Sequence, residues 1–173
     1  MIALLISDYK KYKKYGGNFF TILFCTQGFW AIVQYRLAHS VYKMRFPVVK
    51  QILQLVMIVW QKCIEITTGI SIPASAIIGH SFYIGHFGGI ILNAKTVIGN
   101  NCNISQGVTI GVSGLAEKRG VPCIGNNVYI GANSVLVGKI RISDNVLIGA
   151  CSLVTSNVEE NAVVVGVTAV KIS

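Results

Sequence analysis

The sequence predicts a mainly β chain: a parallel β-helix of hexapeptide repeats, entered through a short N-terminal α-helical region. Three observations predict it. An aliphatic residue returns every six positions, at Ile98, Ile104 and Ile110 and again at Ile124, Ile130, Leu136, Ile142, Ile148 and Val154. Glycine often follows at once, as at Gly99, Gly111, Gly125, Gly131 and Gly149. Four places after the aliphatic sits a second inward candidate, as at Cys102, Val108, Val128, Ser134, Val146 and Ser152. No α-helix keeps that period, because 3.6 does not divide six, whereas a six-residue repeat is the signature of a parallel β-helix. Three hexads close one triangular coil, and each coil lays its short strands on the coil below.

The repeat begins earlier, at Ile72, Ile78 and Ile84, and its count breaks twice. From Ile84 to Ile98, and again from Ile110 to Ile124, there are two residues too many for a strict multiple of six. Insertions into a solenoid tend to map to a functional face. The first break carries His86, in Y-I-G-H-F-G-G; the second carries the polar, basic run Val112 to Pro122. Counted this way, Ile84, Ile104, Ile124 and Ile142 share a face, with His86, Gln106, Asn126 and Asp144 as a polar column beyond them. Ile110, Ile130 and Ile148 share the next face, with the small residues Val112, Ala132 and Ala150 beyond. A groove along small side chains suits a long, thin ligand.

Upstream, residues 1–16 read as a short basic helix broken at Gly16-Gly17. Gly28 precedes an amphipathic run through Phe29, Ile32, Val33, Arg36 and Leu37 with helical spacing. Pro47 opens the next helix, which carries Ile52, Leu55, Val56 and Val59 on one face and ends at Gly69. The seam therefore falls there, with a helical region over 1–69 and the coil domain over 70–173. Val163 to Gly166 reads as a closing strand followed by a tail.

The 173 residues carry a net charge of +9 and are 53% hydrophobic, which makes a membrane span the first alternative to weigh. No unbroken apolar run approaches the roughly 18 residues a span needs; the closest, Phe46 to Trp60, contains Lys50, Gln51 and Gln54. No signal peptide with a cleavage pattern is visible. The charge is concentrated in residues 1–70, where Lys10, Lys11, Lys13, Lys14, Arg36, Lys43, Arg45, Lys50 and Lys62 face only Asp8 and Glu65. A basic, apolar lead-in of this kind reads first as a solvated helix surface, with peripheral association at anionic membranes as the alternative. The cations do not interleave with stacking aromatics on any nucleic-acid module. Cys25, Cys63, Cys102, Cys123 and Cys151 are scattered, odd in number and without zinc spacing, so a reducing compartment is expected: the cytoplasm, with the inner face of the membrane as the finer alternative.

The run I-P-A-S-A-I-I-G-H-S-F-Y-I-G-H-F-G-G, followed by N-I-S-Q-G-V-T-I-G, V-Y-I-G-A-N-S and L-I-G-A-C-S-L-V, resembles the hexapeptide-repeat acetyltransferases, most closely their serine acetyltransferase branch. The helix G-F-W-A-I-V-Q-Y-R-L-A-H extends the resemblance to about residues 28–171. It implies a left-handed parallel β-helix, a homotrimer with active sites between neighbouring coils, and acetyl-coenzyme A (acetyl-CoA) as cosubstrate with no metal. His86 aligns with the catalytic histidine. Gly111, Val112, Gly131, Ala132 and Ala150 align along the coenzyme A channel.

The chain also departs from that branch. Gly85 replaces an acid before the histidine, Ser71 a second acid that orients it, and Gly120-Val121 an Arg-His pair before Pro122. An acid of the helical domain has no match near Lys13. These losses remove counter-charges for serine, and the pattern G-H-F-G-G…N-I-S-Q-G-V-T-I-G resembles the sugar O-acetyltransferases of capsule and exopolysaccharide synthesis. The expected activity is therefore O-acetylation of a sugar hydroxyl, on a small-molecule or lipid-linked acceptor held by Asn93, Asn103, Gln106 and Tyr83, with His86 as general base. Serine O-acetylation for cysteine synthesis is the alternative, and a scaffold binding a partner enzyme a third. Lys118 and Arg119 are candidates for coenzyme A phosphates or an acidic glycan, with simple solvation as the equal alternative. A trimer is expected, not a pair of trimers, because the helical region is short.

Overall fold

The computed structural model describes residues 1–172, of Lys118 the backbone alone. Fifteen short strands build the coil. One sheet stacks β1 (Ile70–Ser71), β4 (Ile90–Leu92), β7 (Thr109–Gly111), β10 (Val135–Val137) and β13 (Leu153–Val154). A second stacks β2 (Ile77–Ile78), β5 (Val97–Ile98), β8 (Cys123–Ile124) and β11 (Arg141–Ile142). The third stacks β3 (Tyr83–Ile84), β6 (Asn103–Ile104), β9 (Tyr129–Ile130), β12 (Leu147–Ile148) and β14 (Val163–Val165). All these pairs are parallel; β15 (Val170–Lys171) folds back antiparallel on β14 and closes that end. The hexad aliphatics point inward and are buried, as are the second inward positions Phe82, Cys102, Val108, Val128, Ser134, Val146 and Ser152. Each buried aliphatic contributes about 1.5–3 kcal/mol.

The register corrects the sequence count. Ile84 and Ile104 are followed on their face by Ile130 and Ile148, not by Ile124 and Ile142. Ile124 pairs instead with Ile98 and Ile142, and Ile110 with Leu92 and Leu136. The physical reason is the second break. It is a whole loop, closed by an antiparallel bridge between Ser113 and Gly120, and not two extra residues within a hexad. Counting the loop as a hexad shifted the faces after it by one against those before it, while the pairs Ile124–Ile142 and Ile130–Ile148 were counted correctly.

Three helices close the other end of the coil: α1 (Ile2–Lys14), α2 (Gln27–Tyr42) and α3 (Pro47–Thr68), with a π turn over Thr21–Cys25 before α2. Gly69 ends α3 in the left-handed conformation, φ 67°, which glycine adopts without steric cost. A first coil leaves one edge of unpaired N–H and C=O groups, and the helices satisfy it with side chains. The Tyr12 hydroxyl donates to Ile84 O and accepts from Ile84 N–H. The Tyr35 hydroxyl does the same between Ala76 O and Ile78 N–H. Burial pushes both phenols up, Tyr35 to about 12, so both keep the proton they donate.

The Arg36 guanidinium reaches Ile78 O (2.6 Å) and Gly79 O (2.5 Å), and its other edge pairs with buried Asp8 at 2.9 Å. Asp8 also accepts from Phe82 N–H at 2.8 Å. Gly28 lies where a Cβ would strike Ile84 O, so α2 approaches the coil backbone directly.

The face of α3 bearing Ile52, Leu55, Val56 and Val59 turns away from the molecule. Ile52 is 63% exposed, Leu55 65% and Val59 58%. The opposite face, through Gln54, Met57, Gln61 and Ile64, meets α2, as the Gln34 amide bond to Met57 O shows.

Candidate active site

The corner after the third sheet carries the candidate residue His86. β3 leads into Gly85-His86-Phe87-Gly88-Gly89, where Gly88 and Gly89 both have positive φ and turn the chain into β4. His86 is exposed. The turn is fixed from both sides: Gly88 N–H donates to Thr68 O at 2.8 Å, and Gly107 N–H donates to Gly88 O at 2.9 Å. Because Ile84 pairs with Ile104, Ile130 and Ile148 in succession, the residues two places on form one column. That column is His86, Gln106, Ala132, Ala150.

This column unites parts of two columns expected from the sequence. Gln106 and the small pair Ala132 and Ala150 share the corner with His86. Asn126 and Asp144 do not. They belong to the corner after the second sheet, where Asp144 accepts from Asn126 N–H at 2.8 Å and Asn126 accepts from Asn100 N–H at 2.8 Å. These bonds, first from the Asn126 side chain and then from its backbone, hold the Asp144 carboxyl below its ordinary value. Gly131 precedes Ala132 with no room for a side chain, since a Cβ would meet Ala150 N at 2.5 Å. Gly111 and Val112 lie at the corner after the first sheet, away from Gly131, Ala132 and Ala150 within the chain.

The other expected acceptor residues are placed elsewhere. Tyr83 and Asn103 face outward on the third sheet under α1. The Tyr83 ring stacks on Tyr15 with centroids 4.3 Å apart, and the Asn103 amide donates to the Tyr15 hydroxyl at 2.6 Å. Asn93 fixes a turn, its side-chain oxygen accepting from Lys95 N–H. The Lys118 side chain lies outside the described residues. Arg119 is exposed on the Ser113–Gly120 loop.

Sequence reasoning missed Glu65. The Ser71 hydroxyl donates to Glu65 Oε1 at 2.8 Å, and Gln61 and Lys62 donate to the same carboxylate at 2.8 and 2.6 Å. Burial opposes its charge, but the bonds from Lys62, Ser71 and Gln61 prevail and hold the carboxyl below its ordinary value. A carboxylate is thus attached to β1, next to the turn of His86, from a neighbouring helix. Its sequence signal was weak: an acid six positions before the serine, on a helix read only for its apolar face. Gly120 has no room for any side chain, because a Cβ would meet the Lys139 side chain at 2.6 Å. No group of side chains among the described residues could hold a metal ion.

Comparison with known proteins identifies the architecture. The family model described as bacterial transferase hexapeptide (six repeats) matches residues 124–156. A serine acetyltransferase of Synechococcus elongatus is 35% identical over 87% of this chain and 59% of its own length. One of Helicobacter pylori strain J99 is 34% identical over 88% of this chain and 85% of its own length. A solved serine acetyltransferase in complex with cysteine superposes with a TM-score of 0.86 at 30% identity, covering 99% of this chain and 70% of that one. Another, in complex with CoA, gives 0.83 at 28% identity, over 99% and 69%. The chain spans 59% of the Synechococcus relative's length. The coil is the left-handed parallel β-helix of these structures.

The comparisons overturn the sugar acceptor. The matched relatives are serine acetyltransferases, one of them along 85% of its length. The inference from Gly85, Ser71 and Gly120-Val121 treated aligned positions as the sole source of polar groups. The Glu65–Ser71 bond shows a carboxylate reaching this part of the chain from outside those positions.

Proposed function

We propose that this chain, which belongs to the serine acetyltransferase family of hexapeptide-repeat transferases, moves the acetyl group of acetyl-CoA onto the side-chain hydroxyl of L-serine. The observation that carries the reading is the coincidence of two facts. His86 stands in a break of the repeat, exposed at a corner lined by small residues, and relatives named for this activity match the chain over most of its length.

In this reading the neutral His86 imidazole accepts the serine Oγ proton as Oγ attacks the thioester carbonyl. Histidine suits that task near neutral pH. The tetrahedral adduct collapses, the C–S bond breaks, and the thiolate leaves with the proton that His86 received. The products are O-acetyl-L-serine and free CoA thiol. Gln106, beside His86, is the neutral hydrogen-bonding group for the acceptor. Gly131, Ala132 and Ala150 line the run of small residues for the pantetheine arm, and Gly111 and Val112 contribute from the first-sheet corner of an adjoining subunit in a homotrimer. The scattered free cysteines support a reducing compartment, the cytoplasm.

Release of CoA thiol with L-serine as the only acceptor tests the proposal. The rate is expected to saturate in L-serine and in acetyl-CoA. Thiol release that does not respond to L-serine would refute it.

A further inference from the structure

We infer that the outward face of α3 is a docking surface for an anionic lipid bilayer. This is independent of the acceptor, because the face lies apart from the His86 corner. Along α3 the exposed residues Val49, Ile52, Val56, Val59 and Ile66 recur at helical spacing, and Ile66 is 85% exposed. A stripe of this breadth normally turns to the core; here the core-facing side of α3 is the other one. The apolar surface continues past Trp60 into a groove of about 490 Å³ lined by Leu23, Phe29, Trp30, Val33, Trp60 and Ile64. Beyond Leu23 stand the exposed rings of Phe20 and Phe24. A contiguous patch of this kind marks an interaction site.

The charge selects the occupant. Lys43, Arg45 and Lys50 cluster at the start of α3, and Lys62 lies on its flank. The helical region holds two acids, Asp8 and Glu65. Asp8 is buried against Arg36, and Glu65 is taken by Lys62 at 2.6 Å. A second copy stacked on this face would bring like charges together with no free acid to receive them. An anionic membrane supplies the counter-charge, and its acyl region receives the apolar stripe. Among the described residues no helix is long and apolar enough to cross a membrane, so α3 would lie in the interface plane with its apolar side inward.

The test is flotation of the full chain with phosphatidylcholine vesicles, with and without phosphatidylglycerol. The protein is expected to float with the anionic vesicles at low salt, and far less with the neutral ones. Replacing Lys43, Arg45 and Lys50 with alanine should lower binding to anionic vesicles by about fivefold per charge. The double change Ile52→Asn and Val59→Asn should lower it at unchanged charge, with the melting transition of the parent retained as proof of folding. Equal recovery on both vesicle types, or no flotation on either, overturns the inference. So does a change in solution mass caused by the Ile52 and Val59 substitutions, which would give the face to a second copy.

Discussion

His86→Ala is expected to lower acetyl transfer by about 10²–10⁴-fold, the usual worth of a positioned general base, while leaving assembly and thermal stability unchanged. Both parts follow from the turn. His86 is exposed and lies outside the inward hexad positions, so removing its ring opens no core cavity. The turn is held by backbone bonds through Gly88 and by two glycines of positive φ, and none of these involves the imidazole. Turnover with L-serine and acetyl-CoA, measured beside a melting curve, checks it. Activity within about threefold of the parent would remove His86 from the mechanism. Loss of fold would show that the ring has a structural role that its exposure does not reveal.

Arg36→Ala should have the second largest effect, and on stability. It leaves the Asp8 carboxylate buried beside Phe82 N–H without its counter-charge, and it strips donors from Ile78 O and Gly79 O. Breaking a buried ion pair from one side costs about 3–5 kcal/mol, which for a chain of this size lowers the melting temperature by roughly 10 °C. Removing both partners, with Asp8→Leu and Arg36→Met, should recover much of the loss, because no buried charge then remains. Thermal unfolding of the two variants decides it. An Arg36→Ala loss below about 1 kcal/mol, the range of an exposed pair, would contradict the account of the lead-in as the cap of the first coil.

The hexads were legible because a buried position every six residues leaves a period no helix can mimic, and Ile98 to Ile110 and Ile124 to Val154 keep it. Which strands are neighbours was not legible, because it depends on how a break is closed. The Ser113–Gly120 bridge takes the loop out of the coil, and only coordinates show that. His86 stood out as a candidate, since a histidine in a break is conspicuous. Gln106 was placed with it correctly, but the column beyond the loop was misassigned, so that Asn126 and Asp144 displaced Ala132 and Ala150.

In the helical region the end of α3 at Gly69 was readable from a glycine after an apolar helix. The direction of the α3 stripe was not, because periodicity gives a face without saying what the face meets. The Asp8–Arg36 pair was hidden for a different reason. An arginine on an amphipathic run reads as solvated, and nothing local ties it to an acid on another helix. Ser71 misled in the same way. Its side chain was judged by its own chemistry, whereas its partner is Glu65.

The most direct test of the central claim is identification of the product by NMR after incubation with L-serine and acetyl-CoA. Thiol release alone does not separate transfer from thioester hydrolysis. The account predicts one acetyl group on the serine side-chain oxygen for each thiol freed, with formation lost in His86→Ala. Free acetate with unmodified serine, or acetyl on the serine nitrogen under conditions that exclude acyl migration, would contradict it.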